Sequence, residues 1–144
     1  MGKTKRGKGT KLMAITDGSS YPIAIGISSA SPHEVTLVED TVKQILTTYV
    51  PVRIIGDKAY DSDPLDNRLK RQGIELIAPH RRGRVKPKTQ DGRVFRRYKR
   101  RWKVERLFAW LQQFRRIGTR FDYYEHSYEG FVILGCMIVF LRNL

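Results

Sequence analysis

The chain has 144 residues, enough for one domain with its own core and too few for several. Its 28 Lys and Arg against 14 Asp and Glu give a net charge of +14 beside 40% hydrophobic residues, which argues against wholesale disorder and points to a polyanionic partner. A single cysteine, Cys136, excludes a disulfide framework and a cysteine zinc cluster, and fits a reducing cytoplasm.

Residues 1–10 are rich in Gly and Lys and read as a basic mobile segment ahead of a domain spanning 11–144. "MGKTKRGKGTK" has no apolar core of a secretory signal, and Arg6 stands where a myristoylation pattern wants Ser or Thr. "KLMAIT", "DGSS" and "YPIAIGI" read as strand, turn and strand, with Asp17-Gly18 supplying the turn. A helix is then expected, with Ser31 as its cap, Pro32 in the first helical position and Glu34 closing a capping box. Val35, Val38, Val42, Ile45, Leu46 and Tyr49 would form its apolar face.

"PVRIIGD" reads as a buried strand ending at Asp57. Ser62 can cap a helix "DPLDNRLKRQ" that Gly73 stops, and "IELIA" is the next strand. Residues 79–92, "PHRRGRVKPKTQDG", have no periodicity and read as a loop. Its Arg81, Arg82 and Arg84 would contact phosphates if DNA is bound; a solvated charge run is the other reading. A basic helix is expected from about Phe95 to Arg116, ended by Gly118. The last apolar run, "FVILGCMIVFL" at 131–141, is shorter than a bilayer span and reads as a buried helix, so no membrane partner is expected. This order of elements argues for an α/β domain with a mixed sheet.

Glu105 is the one carboxylate between Arg96 and Arg116. At 100° per residue, Tyr98, Trp102 and Ala109 fall near its azimuth, and Arg101 lies close by. Val104, Leu107, Leu111 and Phe114 gather on the opposite side. Two readings are open: a surface ion pair with Arg101 or Arg106, or a metal ligand facing a phosphate backbone. Asp57 is open in the same way. It is either a turn acid or a carboxylate at the C-terminal end of a strand, where ligands bind in open α/β sheets.

"IIGDKAYDSD" followed by "YKRRWKVERLFAWL", with Tyr98, Arg101 and Glu105 in the register Tyr, two residues, Arg, three residues, Glu, resembles the DDE transposases of bacterial insertion sequences. The likeness is greatest to the group named after insertion sequence five. "GTKLMAITDGSSYPIAIGISSASPHE" is similar to that family's hairpin and helix start. The resemblance implies a ribonuclease-H-like mixed sheet flanked by helices. It implies an enzyme that binds transposon ends and target DNA, and carries out phosphodiester cleavage and strand transfer with Mg²⁺, or Mn²⁺ in its place. It assigns Asp57 and Glu105 as the second and third catalytic, metal-holding acids. Tyr98 and Arg101 would contact DNA near the scissile phosphate, with Arg106 among the same helix's DNA contacts.

Two departures carry expectations of their own. Gln112 stands where the family has Lys, and Arg116, close to Glu105 in azimuth, is expected to supply the charge. No acid precedes Asp17, itself a turn residue, so the family's first Asp and first strand are expected to be absent. The chain then reads as the C-terminal portion of a transposase, with an N-terminal open-reading-frame product as a partner that supplies the Asp. Synapsis of two ends makes a homodimer the expected assembly. The alternative is a non-catalytic basic DNA-binding protein derived from a truncated transposase.

Overall fold

The structure, a computed structural model, describes residues 2–4, 7–85, 87 and 95–142. Strands β1 (Gly2–Thr4), β2 (Gly7–Thr16) and β3 (Pro22–Ser29) pair antiparallel in that order. The hairpin is the expected one, except that β2 reaches back to Gly7, into the segment read as a mobile lead. At the turn, Asp17 Oδ1 accepts the N–H groups of Ser19 and Tyr21. The left-handed residue is Ser20 (φ 77°), fully buried, rather than Gly18.

Helix α1 (Glu34–Lys43) starts two residues later than Ser31-Pro32 implied. His33 is the N-cap and makes no side-chain capping bond, so the capping box is not formed. Lys11 Nζ donates to the Pro32 carbonyl at 2.7 Å, tying Pro32 to β2 outside the helix. The helix stops at Gln44, which leaves Leu46 and Tyr49 at 90% and 84% exposure, off the apolar face expected of them.

Next come β4 (Arg53–Ile55), a 3₁₀ turn (Lys58–Tyr60), α2 (Asp63–Arg71) and β5 (Glu75–Ile77). Ser62 is the N-cap of α2 with no side-chain capping bond, and Gly73 takes φ 78° to turn the chain into β5. β4 and β5 pair in parallel, with Arg53 opposite Glu75 and their side chains ion-paired at 2.6 Å. This pair forms its own sheet, so the single mixed sheet expected from sequence is two sheets among the described residues.

The alternation along β2 divides the interior. Met13 and Ile15 face Val38, Val42, Leu65, Leu69 and Ile74 of one core. Leu12 and Ala14 face the other, built from Leu107, Leu111, Ile117, Val132 and Val139. A strand whose two faces both pack carries apolar residues at consecutive positions, as "LMAI" does.

The basic segment is not one helix. It divides into α3 (Phe95–Tyr98), a 3₁₀ turn (Lys99–Arg101), α4 (Trp102–Gln112) and α5 (Arg115–Gly118). Phe114 adopts extended backbone between α4 and α5, which carries Ile117 into the second core. There it meets α6 (Glu125–Leu141) at Gly135, where an added Cβ would lie 2.6 Å from Ile117 Cδ1. α6 buries Val132, Cys136 and Val139 but leaves Ile133, Leu134, Met137 and Leu141 exposed, so the run expected to be a buried helix is buried on one face only. Among the described residues no helix is long and apolar enough to cross a membrane.

Candidate active site between two sheet edges

β2 pairs with β3 over residues 10–16, and β1 covers its other edge only at residues 7–9. β4 pairs only with β5 among the described residues. Between these two edges lies a cavity of about 270 Å³, lined by residues 11–15 of β2 and by residues 54–57 at and just beyond β4. Successive side chains of a strand point to opposite faces, so a cavity touching consecutive residues abuts the strand's backbone edge. A second cavity of about 220 Å³ continues along residues 14–18 and 53–55. Together they form a groove between two strand edges that are unpaired among the described residues.

Asp57 and Glu105 both line the first cavity, together with Arg101. Asp57 sits just beyond β4, where one carboxylate oxygen accepts the Ala59 N–H at 2.6 Å and caps the 3₁₀ turn. Glu105 comes from the first turn of α4, whose Leu107 and Leu111 are buried, so the acid lies on the side facing away from the second core. Its Oε1 accepts from Arg101 Nη1 at 2.6 Å. The Arg101 guanidinium in turn lies over the Tyr98 ring, 5.6 Å from its centroid. Arg101 therefore links Tyr98, at the end of α3, to Glu105 in α4.

The other expected DNA contacts are placed differently. Arg106 donates to Ser20 Oγ and the Ser19 carbonyl, and its guanidinium lies 4.9 Å from both the Trp102 and Trp110 rings. It braces the hairpin turn. Arg116 lies beyond the break at Phe114, so the azimuth that placed it beside Glu105 does not apply; it pairs with Asp122 at 3.3 Å and covers the Phe131 ring. Arg84 bonds Asp61 and Asp63, and Arg81 donates to the carbonyls of Lys58 and Ala59. Arg82 is exposed. Of the loop read at 79–92, residues 86 and 88–92 lie outside the described residues.

Sequence reasoning passed over Glu34 and Tyr60, which line the same cavity. Burial, and then the nearby charges of Glu34 and Asp57, push the Tyr60 phenol well above its ordinary range, so it stays a neutral hydrogen-bonding group. The signal was available: Tyr60 follows Asp57 by one 3₁₀ turn. Glu34 is 3.9 Å from Lys11. No three acids, histidines or cysteines among the described residues converge to hold a metal ion. Asp57 and Glu105 each bring a carboxylate, a hard oxygen donor of the kind Mg²⁺ prefers, to the lining of this cavity.

Asp57, Arg101 and Glu105 thus line one cavity of an α/β frame, beside a strongly basic segment. The chain matches the family model for the transposase DDE domain over residues 1–141, and it belongs to that family. It is 29% identical over 148 residues to the putative transposase for insertion sequence element IS402 of Burkholderia cepacia. That alignment covers 94% of this chain, and the chain spans 64% of the relative's length. No solved structure matches the chain.

Proposed function

We propose that this chain is the C-terminal catalytic part of an insertion-sequence transposase, with a ribonuclease-H-like arrangement once a further strand is added. It would bind transposon ends and target DNA and carry out phosphodiester cleavage and strand transfer. Asp57 and Glu105 would hold Mg²⁺, or Mn²⁺ in its place. The observation that supports this reading best is that two acids 48 positions apart line one cavity between two strand edges unpaired among the described residues.

Bound there, the ions would activate an attacking oxygen and stabilise the leaving one in an in-line displacement. The chain's own residues do the positioning. Asp57 is fixed by the Ala59 N–H, so its carboxylate loses little freedom on binding a cation. Arg101 is stacked on Tyr98 and can exchange the Glu105 carboxylate for a DNA phosphate, since both accept its fork of donors. Exposed Arg96, Arg97, Lys99 and Arg100 are chain neighbours of Tyr98 and Arg101 and would hold the nucleic-acid backbone.

The two-acid site leaves a place for a third. A strand laid along the free edges of β2 and β4 would join the two sheets and could bring a carboxylate beside Asp57. β1 already pairs on the first residues of that β2 edge, so the edge accepts a strand. An N-terminal open-reading-frame product would supply this strand and the first Asp. Two copies, one for each end of the element, would act together as a homodimer.

The test is Mg²⁺-dependent nicking of DNA carrying the element's ends, by the chain alone and after adding the polypeptide encoded directly upstream. Cleavage that appears on addition, and vanishes with Asp57→Asn or Glu105→Gln, is the expected result. The closed Arg101–Glu105 pair also fits a non-catalytic DNA-binding protein. In that case neither mixture cuts, and salt-dependent binding survives Glu105→Gln.

A further inference from the structure

We propose that Arg84 and His80 are positioning residues that fix the Asp57 carboxylate through Asp61, so that the loop after β5 braces one acid of the site. The inference rests on the reading of Asp57 as a metal-holding acid.

The turn that presents Asp57 is short. After β4 the chain makes a single 3₁₀ turn, and Asp57 Oδ1 accepts from Ala59 N–H inside it, so the carboxylate goes where the turn goes. Three residues of 3₁₀ helix do not hold a geometry by themselves. Here the turn is gripped from outside by residues 80–84. Arg81 donates to the Lys58 carbonyl at 3.2 Å and to the Ala59 carbonyl at 2.7 Å. Asp61, directly after the turn, receives His80 Nδ1 at 2.8 Å, the Arg81 N–H at 2.8 Å and Arg84 Nη1 at 2.9 Å. The other arm of the Arg84 fork reaches Asp63 at 2.6 Å.

This polar cluster is largely enclosed: the side chains of Asp61, His80 and Arg84 are 5%, 10% and 11% exposed. Ions taken out of water are costly unless each is fully paired, and apolar residues of the same volume would stabilise the fold at least as well. What a forked, part-buried guanidinium gives that packing does not is direction: it fixes Asp61, and with it the end of the turn, to one position. The leucines that hold α2, Leu65 and Leu69, lie in the apolar core with Ile74; Tyr60 of the turn packs against that core, while its polar grip comes from residues 80–84. Arg82, in the same loop, is exposed and serves as a control.

The experiment uses the full chain labelled with ¹⁵N, in wild type and in Arg84→Met, Arg84→Lys, Asp61→Asn and Arg82→Ala. Hydrogen exchange is followed at the amide of Ala59, which Asp57 engages, and at that of Ile74, which bonds the Leu69 carbonyl in the core. Arg84→Met and Asp61→Asn should speed Ala59 exchange about tenfold with Ile74 unchanged. Both should raise the Mn²⁺ concentration for half-saturation about tenfold, the scale of lost outer-shell support. Arg82→Ala should do neither.

Unchanged Ala59 exchange in Arg84→Met would overturn the proposal. If Ile74 also exchanges faster, the variant has loosened the whole fold, and Arg84→Lys decides. Lys keeps the charge without the fork, so Ala59 alone should exchange faster, and no change there overturns the clamp. A wild-type chain that binds no Mn²⁺ would remove the reading of Asp57, while the exchange at Ala59 still decides whether the loop sets the turn.

Discussion

Arg101 and Glu105 form an ion pair at 2.6 Å, so the lone acid of the basic segment is held by the guanidinium expected to face a phosphate. The pair is 38% and 52% exposed, and pairs of that kind contribute below about 1 kcal/mol. Glu105→Gln should therefore move the melting temperature by no more than about 3 °C, while Mn²⁺ binding is lost. Calorimetric melting and a metal titration on the same sample check both. A larger fall in melting temperature, with metal binding intact, would make Glu105 structural.

Arg106 should act on folding more than on DNA. Arg106→Ala removes the two bonds to the Ser19–Ser20 turn and leaves Trp102 and Trp110 without the cation between them. A loss of about 2 kcal/mol is expected in urea unfolding. Arg106→Lys should recover less than half of it, because an ammonium cannot fork and stack together.

Asp66 sets a pH dependence of known sign. Burial, and then the charges of Asp63 and Asp61, push its carboxyl up to about 6. A carboxyl with a raised folded-state value binds a proton more tightly folded than unfolded. Stability therefore falls as pH rises from about 4, the unfolded value, through about 6. Asp66→Asn should raise the melting temperature at pH 7.5, and the difference should vanish at pH 4. Asp61 runs the other way: burial alone would raise its carboxyl, but the Arg81 N–H, His80 and Arg84 together hold it below its ordinary range. Its contribution is present above about pH 4 and is lost as pH falls further.

DNA affinity should fall steeply with salt, with a log–log slope that drops by about 0.9 for each phosphate contact removed. Arg101→Ala and Arg82→Ala are each expected to lower it by that step. Arg116→Ala is expected to leave it unchanged, since that side chain is engaged with Asp122 and Phe131. Fluorescence anisotropy on duplex DNA at several salt concentrations measures all three.

The hairpin and α2 were legible because alternation, Ser62 before α2 and Gly73 beyond it are local signals; the two short strands were legible as apolar runs, but β4 ends at Ile55 rather than Asp57 and buries none of its residues. The start of α1 was not, because Lys11 draws the Pro32 carbonyl to β2 and overrides a plausible capping sequence. The break after α4 was hidden for a similar reason: Ile117 is drawn to Gly135 on a helix the basic segment does not foretell. Arginines look alike in sequence, and only tertiary partners twenty or more positions away separate Arg84 and Arg106, engaged inside the fold, from exposed Arg82. Asp57 and Glu105 were named by family resemblance, whereas the groove between two sheets could not be read from spacing.

The most direct measurement is Mn²⁺ titration of the ¹⁵N-labelled chain below one equivalent, following the amides of Ala59 and Glu105. Paramagnetic broadening should strike both together, and Asp57→Asn or Glu105→Gln should each abolish it at both. Broadening confined to one of them, or surviving either substitution, would show that the two acids do not share an ion.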